Sequence, residues 1–202
     1  MTISSTSILL RASALTCERD GRRLFENLDL TISAGDVVEL RGPNGSGKTT
    51  LLRCLAGLTA DYEGSVERRL PAAYCGHRGG LKGELTPLEN LRWYGALEGR
   101  RADTRSLRDA LDAMGLEGYA MTPCQQLSAG QQRRAALARL RLTRARLWLL
   151  DEPLTSLDEA GCTLVRELLD RHRCDGGGAI CATHAPLEVA GTRMQMLGAA
   201  AA

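Results

Sequence analysis

The sequence is poor in aromatic residues, lysine, net charge and long apolar runs, and each shortage excludes something. Only seven of 202 residues are aromatic, and Phe25 is the sole Phe. Of 26 basic residues, 24 are Arg and only Lys48 and Lys82 are Lys, so a lysine inside a motif carries weight. No apolar run approaches the ~18–20 residues that a membrane-crossing helix needs, so any membrane role must come through a partner. The net charge is only +2, too small for an obligate nucleic-acid binder. The seven cysteines (Cys17, Cys54, Cys75, Cys124, Cys162, Cys174 and Cys181) are scattered and contain no C-x-x-C pair. That argues against a disulfide framework and a structural zinc site, and leaves small apolar residues of a reduced compartment. The first residues, MTISSTSILLRAS, have neither a charged n-region nor a long apolar h-region, so no signal peptide is expected.

What is present is ordinary for a globular chain. Hydrophobic residues are 44% and charged residues 25%, which excludes disordered, collagenous and fibrous classes. The length fits one domain, or one core with a lobe inserted into it. Ile8 to Cys17 and Phe25 to Ile32 alternate loosely around Asp20-Gly21, which predicts a hairpin. Ser33 to Asp36 reads as a turn, Val37 to Leu40 as a short apolar strand, and Thr49 to Leu55 as a helix closed by Gly57. Tyr62 to Tyr74 reads as a second hairpin. From about residue 78 helices take over. Thr86-Pro87-Leu88-Glu89 is a helix start, Thr104 to Met114 is amphipathic, and Gln131 to Leu142 is a third, arginine-rich helix. The β/α pattern then returns with strand Leu147 to Leu150, helix Glu159 to His172 and strand Ala179 to Ala182.

The most specific signal is Gly42-Pro43-Asn44-Gly45-Ser46-Gly47-Lys48-Thr49, followed by Thr50, a full G-x-x-x-x-G-K-[ST] between a predicted strand and a predicted helix. The glycines let the backbone wrap a phosphate with successive N–H groups pointing inward, and the helix N-terminus adds its positive dipole end. In this motif Lys48 bridges β- and γ-phosphates and the Thr49 hydroxyl ligates Mg2+, which makes ATP with Mg2+ the expected ligand. The run Leu147-Trp148-Leu149-Leu150 ends in Asp151-Glu152, as suits a buried strand whose tip meets a ligand crevice. Asp151 would hold Mg2+ and Glu152 would polarise the attacking water as general base, although alone the pair reads as a solvated turn. Between these lies Leu127-Ser128-Ala129-Gly130-Gln131, where Ser and Gly at a helix start offer a hydroxyl, free N–H groups and a dipole to a second anion. By itself that run is a plain capped helix.

The three runs together, in this order and spacing, resemble the ATP-binding cassette (ABC) ATPases over essentially the whole chain. The resemblance implies an α/β fold of the P-loop NTPase type, with a RecA-like core, an antiparallel β layer and an inserted helical lobe. It implies one domain over residues 1–202, in which 1–76 and 144–202 form the nucleotide-binding core and 77–143 the helical subdomain. It makes Asp158, in Leu157-Asp158, the loop that crosses to a partner subunit, where the local reading is an N-cap for the next helix. It makes His184 the switch histidine that touches the γ-phosphate, where a lone strand-end His would otherwise be structural. Two positions depart from the pattern. The glutamine expected near the start of the helical lobe falls on His77, a group that titrates near neutral pH as an amide does not. Residues 18–23, Glu-Arg-Asp-Gly-Arg-Arg, contain no aromatic for the adenine, though Arg19 could stack its guanidinium face on it.

Smaller marks narrow the resemblance. Cys17-Glu18-Arg19-Asp20, Gly76-His77, Leu127 to Arg134, and Leu137-Ala138-Arg139-Leu140 continuing to Leu142-Thr143-Arg144-Ala145 are similar to the ATPase subunits of cytochrome c maturation ABC complexes, the haem exporters. That resemblance implies a head-to-tail homodimer, with ATP buried between the P-loop of one copy and the Ser128 helix of the other. It also implies separate integral membrane permease subunits, no nucleic acid, and peripheral attachment to the cytoplasmic side of the inner membrane. Three other readings stay open: an ABC transporter of another solute, a soluble non-transport ABC ATPase, and a different P-loop enzyme such as a kinase.

Overall fold

The computed structural model describes residues 7–198. β1 (Ile8–Arg19) and β2 (Arg22–Ser33) form an antiparallel hairpin. Its two-residue turn, Asp20-Gly21, has φ of 52° and 71°, the left-handed pair that matches the twist of the flanking strands. β4 (Glu63–Arg68) pairs antiparallel with the other edge of β1, completing a three-stranded sheet in the order β2-β1-β4.

A second sheet has the order β5-β6-β7-β3-β8. Its strands are β3 (Val37–Arg41), β5 (Ala72–Cys75), β6 (Leu147–Asp151), β7 (Gly178–Ala182) and β8 (Arg193–Met196). The β6–β7, β7–β3 and β3–β8 pairs are parallel, so β3, β6 and β7 end on the same side. Every residue of β6 and β7 is buried, as expected of parallel strands covered on both faces. The chain leaves β3 into the glycine-rich loop, β6 into Glu152 and β7 into Thr183-His184, so the topology alone gathers the three motifs at the carboxyl ends of the strands.

The chain divides into two units, each with its own packing. The first comprises the described residues of Met1–Tyr74, Ala145–Glu152 and Leu169–Ala202, and the second comprises Cys75–Arg144 and Pro153–Leu168. The core of the first joins Leu10, Leu15 and Ile32 of the antiparallel sheet to Val38, Leu40, Leu147, Leu149 and Ile180 of the parallel one. Leu51, Leu52 and Leu55 of α1 (Lys48–Ala56) belong to the same cluster. In the second unit α2 (Pro87–Leu97), α3 (Thr104–Asp112) and α4 (Ala129–Ala138) pack on one another. Thr86 and Glu89 close a reciprocal capping box at the start of α2, with the Glu89 carboxylate accepting the Thr86 N–H at 2.8 Å. α5 (Glu159–Cys174) belongs to the second unit as far as Leu168 and to the first from Leu169 on. Among the described residues no helix is long and apolar enough to cross a membrane.

Three sequence expectations change. Tyr62 to Tyr74 is not a hairpin, because β4 joins the antiparallel sheet while β5 joins the parallel one. The third helix starts earlier and stops sooner than 131–142: α4 spans Ala129–Ala138 and gives way to a 3-10 turn, Arg139–Arg141. β8 is not among the strands the sequence predicts: Arg-Met-Gln-Met alternates over only four residues and is largely exposed, its two methionines included.

His172, in the last turn of α5, lies flat on Trp148, with ring centroids 3.5 Å apart and planes 7° apart. Only a residue without Cβ at 177 leaves room for that ring. Burial lowers the His172 pKa below its ordinary value. The unfolded chain therefore takes up the proton first, and the stability contributed is present above the unfolded pKa and lost as pH falls through that of the folded state. Between about pH 7.5 and about pH 5.5, thermal unfolding should show the wild type losing more Tm than His172→Phe, which keeps a ring on Trp148 without the proton. Equal losses would remove His172 as a source of acid sensitivity.

Candidate active site

The loop leaving β3 is shaped by glycine. A Cβ on Gly42 would run into the Leu197 carbonyl and would sit 2.7 Å from Ser46 Oγ, so backbone alone fits there. Gly47, at φ 91°, is the left-handed residue from which α1 starts. Ser46 donates its N–H to the Pro43 carbonyl at 3.2 Å, which closes the loop into a cradle. The Lys48 ammonium, from the first residue of α1, donates to the Gly42 and Pro43 carbonyls at 2.8 and 3.1 Å. The Ser46 hydroxyl is buried without a hydrogen-bond partner, an orphaned polar atom in the very loop that the sequence assigns to phosphate.

The carboxylates stand beside this cradle. Asp151, the last residue of β6, is buried and accepts a 2.9 Å hydrogen bond from the Thr49 hydroxyl. Thr49 and Asp151 thus present neighbouring hard oxygen donors, the ligand type that Mg2+ takes, so the donor set fits that ion. Glu152 is held differently. Its backbone is left-handed at φ 53°, and its N–H is anchored on the Ala182 carbonyl of β7 at 2.8 Å. A non-glycine residue in that conformation is strained, and such strain gathers where a side chain must be aimed. Glu152 Oε1 lies 3.3 Å from His184 Nε2 just past β7, with the imidazole half exposed. The first unit therefore brings together residues 42–50, Asp151, Glu152 and His184.

The remaining site residues of the sequence reading lie in the second unit. Ser128 is the N-cap of α4: its hydroxyl accepts from the Gln131 N–H at 3.2 Å, and Gln131 Oε1 accepts from the Ser128 N–H at 2.9 Å. Gly130 is needed for space, since a Cβ there would lie 2.7 Å from the Ser156 carbonyl. Leu127 is buried behind the cap, and Ala129 opens the first turn. Asp158 accepts from the Gly161 N–H at 2.8 Å, so the local capping role is real. His77 is exposed and lines a cavity of about 350 Å³ with Gln132, Arg133 and Ser156. Its carbonyl accepts from Arg133, a buried arginine that sequence reasoning passed over and whose guanidinium also reaches the Gly76 and Pro153 carbonyls.

Beside the hairpin, Arg19, Thr50, Arg53 and Asp61 line a smaller cavity of about 170 Å³. The Cys17 thiol at its edge donates to the Asp61 carbonyl. Burial pushes the Cys54 thiol up to about 11 and raises that of Cys17, so both stay protonated and behave as apolar residues.

The sequence model of the ABC transporter family matches residues 25–155. The chain is 51% identical over 187 residues to the cytochrome c biogenesis ATP-binding export protein CcmA of Pseudomonas savastanoi pv. phaseolicola, covering 87% of each chain. It is 48% identical to the protein of the same name from Hahella chejuensis, covering 95% of this chain and 96% of the relative. Among solved structures it is similar to an ATP-binding cassette in a dimeric post-hydrolysis state bound to ADP and Pi. There the identity is 26%, the coverage 87% and 88%, and the TM-score 0.76.

Proposed function

The chain belongs to the ABC transporter family, and on that premise we propose that it is the ATP-hydrolysing subunit of a membrane complex for cytochrome c biogenesis. In that complex, ATP binding and hydrolysis drive haem export or the release of a haem-loaded chaperone. The observation that carries the chemical part is the meeting of the phosphate cradle, the Thr49–Asp151 pair and the Glu152–His184 pair in one place. The relatives' shared name, cytochrome c biogenesis ATP-binding export protein, supports the biological part.

ATP is the substrate. The loop N–H groups of residues 42–50 receive its phosphates, with Lys48 swinging from the loop carbonyls to the β- and γ-phosphates. Thr49 and Asp151 would hold Mg2+, which when bound neutralises charge on the β- and γ-phosphate oxygens. Glu152 accepts a proton from the attacking water, and its left-handed backbone sets the direction in which the side chain leaves β6. His184 contacts the γ-phosphate and, through its 3.3 Å approach to Glu152, reports its presence to the base. His77 takes the place of an amide at the edge of the second unit, and Arg19 offers its guanidinium face to the base.

Two copies act head to tail, each supplying Leu127 to Gln131 to the other's nucleotide, with Asp158 at the crossing. The free N–H groups of Ala129 and Gly130 at the start of α4 suit that task, because the Ser128–Gln131 cap satisfies other groups of the same turn. Within one domain, residues 77–143 serve as the helical subdomain that meets separate integral membrane subunits. The chain sits peripherally on the cytoplasmic side of the inner membrane.

Purification of the intact complex from membranes through a tag on this chain tests the reading. Integral membrane subunits of cytochrome c maturation and bound haem should co-isolate. Permease subunits for a different solute, without haem, would retain the ATPase and overturn the haem role.

A further inference from the structure

β3 carries a charged residue where its pattern calls for an apolar one. Val37, Val38 and Leu40 are buried apolar residues, and Glu39 between them is only 5% exposed. Its carboxylate is fully engaged. Oε2 accepts from Arg41 Nε at 2.8 Å and lies 2.6 Å from a second guanidinium nitrogen of Arg41, a forked pair on alternate residues of one strand. Oε1 accepts from the backbone N–H of Leu187 at 2.7 Å, across 148 residues of sequence. Leu187 is completely buried and lies three residues beyond His184.

The segment carrying His184 is thereby tied to β3 on both sides. Before it, the Thr183 N–H donates to the Leu40 carbonyl at 3.2 Å, and after it, the Leu187 N–H donates to Glu39. The two anchors are consecutive residues of the strand that runs into the phosphate loop. Between them the Thr183 hydroxyl donates to the Ala185 carbonyl and accepts from the Ala185 N–H, which tightens the turn at His184. A buried carboxylate is costly to keep, and an apolar residue would suit a covered parallel strand better. A leucine there would take away the carboxylate oxygen that the Leu187 N–H donates to, and with it the tie that holds the chain after His184 to β3.

We propose that Glu39 is a positioning residue for His184: acting through the Leu187 N–H and steadied by Arg41, it fixes the imidazole relative to the phosphate loop and Glu152. The inference rests on the reading of His184 given above. It concerns no contact with ATP, so Glu39 should govern turnover and not affinity.

The test is steady-state ATP hydrolysis by the full chain with its membrane partners, together with equilibrium ATP binding. The variants are Glu39→Leu, Glu39→Gln, His184→Ala and the double variant Glu39→Leu/His184→Ala. Glu39→Leu should lower kcat about tenfold or more while KM and ATP affinity stay within about twofold, as expected when a reacting group is misplaced. Glu39→Gln keeps an acceptor oxygen for Leu187 and should restore most of that loss. In the His184→Ala background Glu39→Leu should cost nothing further, because the two act as a unit. The same kcat loss with and without His184 would overturn the proposal and leave the role of His184 standing. Unchanged turnover in His184→Ala itself would overturn both. If Glu39→Leu does not accumulate folded, Arg41→Met loosens the same clamp and should show a smaller kcat loss that again vanishes without His184.

Discussion

Glu152→Gln should lower ATP turnover by about 10²–10⁴-fold, the usual share of general-base catalysis, while leaving ATP binding in place. The amide keeps the size and most of the hydrogen bonding of the carboxylate and loses only its basicity. The left-handed backbone and the Ala182 anchor do not depend on the charge, so the side chain stays aimed at the same point. Binding would still draw two copies together, whereas the step that separates them would be lost. The variant should therefore accumulate as an ATP-bound dimer, seen by crosslinking or size exclusion, most clearly within the membrane complex. Turnover near wild type would remove Glu152 as the base, and loss of ATP binding would make its role structural.

Lys48→Ala should abolish tight ATP binding. The ammonium sits on the carbonyls of the phosphate loop and is one of only two lysines in the chain. Each charge-assisted hydrogen bond that it would make to phosphate is worth about 1.5–3 kcal/mol. Losing two raises Kd by about a hundredfold or more. Lys48→Arg should fail as well, since a planar fork does not fit where a compact point charge is wanted. Equilibrium binding with Mg2+ reads both variants, and retained affinity in Lys48→Ala would mean that the loop binds phosphate by its backbone alone.

What could be read from the sequence is what depends on near neighbours. The phosphate loop, the Thr86–Glu89 cap and the Asp20-Gly21 turn each need particular residues within a few positions, and each stands where expected. The strand ending in Asp151-Glu152 was legible for the same reason, because a buried parallel strand must be apolar until it reaches the crevice. Strand partners were not legible. β4 and β5 are separated by three residues and belong to different sheets, a choice made by pairing with strands far away in the chain. β8 owes its existence to β3, some 155 residues earlier, rather than to its own pattern.

What holds the candidate residues in place was less legible in the sequence than the residues themselves. The left-handed turn at Glu152 leaves no mark in an Asp-Glu pair, since most such pairs are ordinary turns. Arg133 looked like one more arginine in an arginine-rich helix, and only burial distinguishes it. Glu39 did leave a signal, a charge inside an otherwise apolar strand, but what it pairs with is set by folding.

The central claim is that one complete site combines the phosphate loop, Asp151, Glu152 and His184 of one copy with Ser128 of another. Mixing Lys48→Ala chains with Ser128→Arg chains tests it most directly. Each variant alone has no intact site, but their mixed dimer has one, made of the wild-type loop of the Ser128→Arg chain and the wild-type Ser128 of the Lys48→Ala chain. The account predicts that ATP hydrolysis, absent from either variant alone, reappears on mixing. A mixture as inactive as its parts, under conditions where mixed dimers form and wild-type pairs hydrolyse ATP, would contradict it.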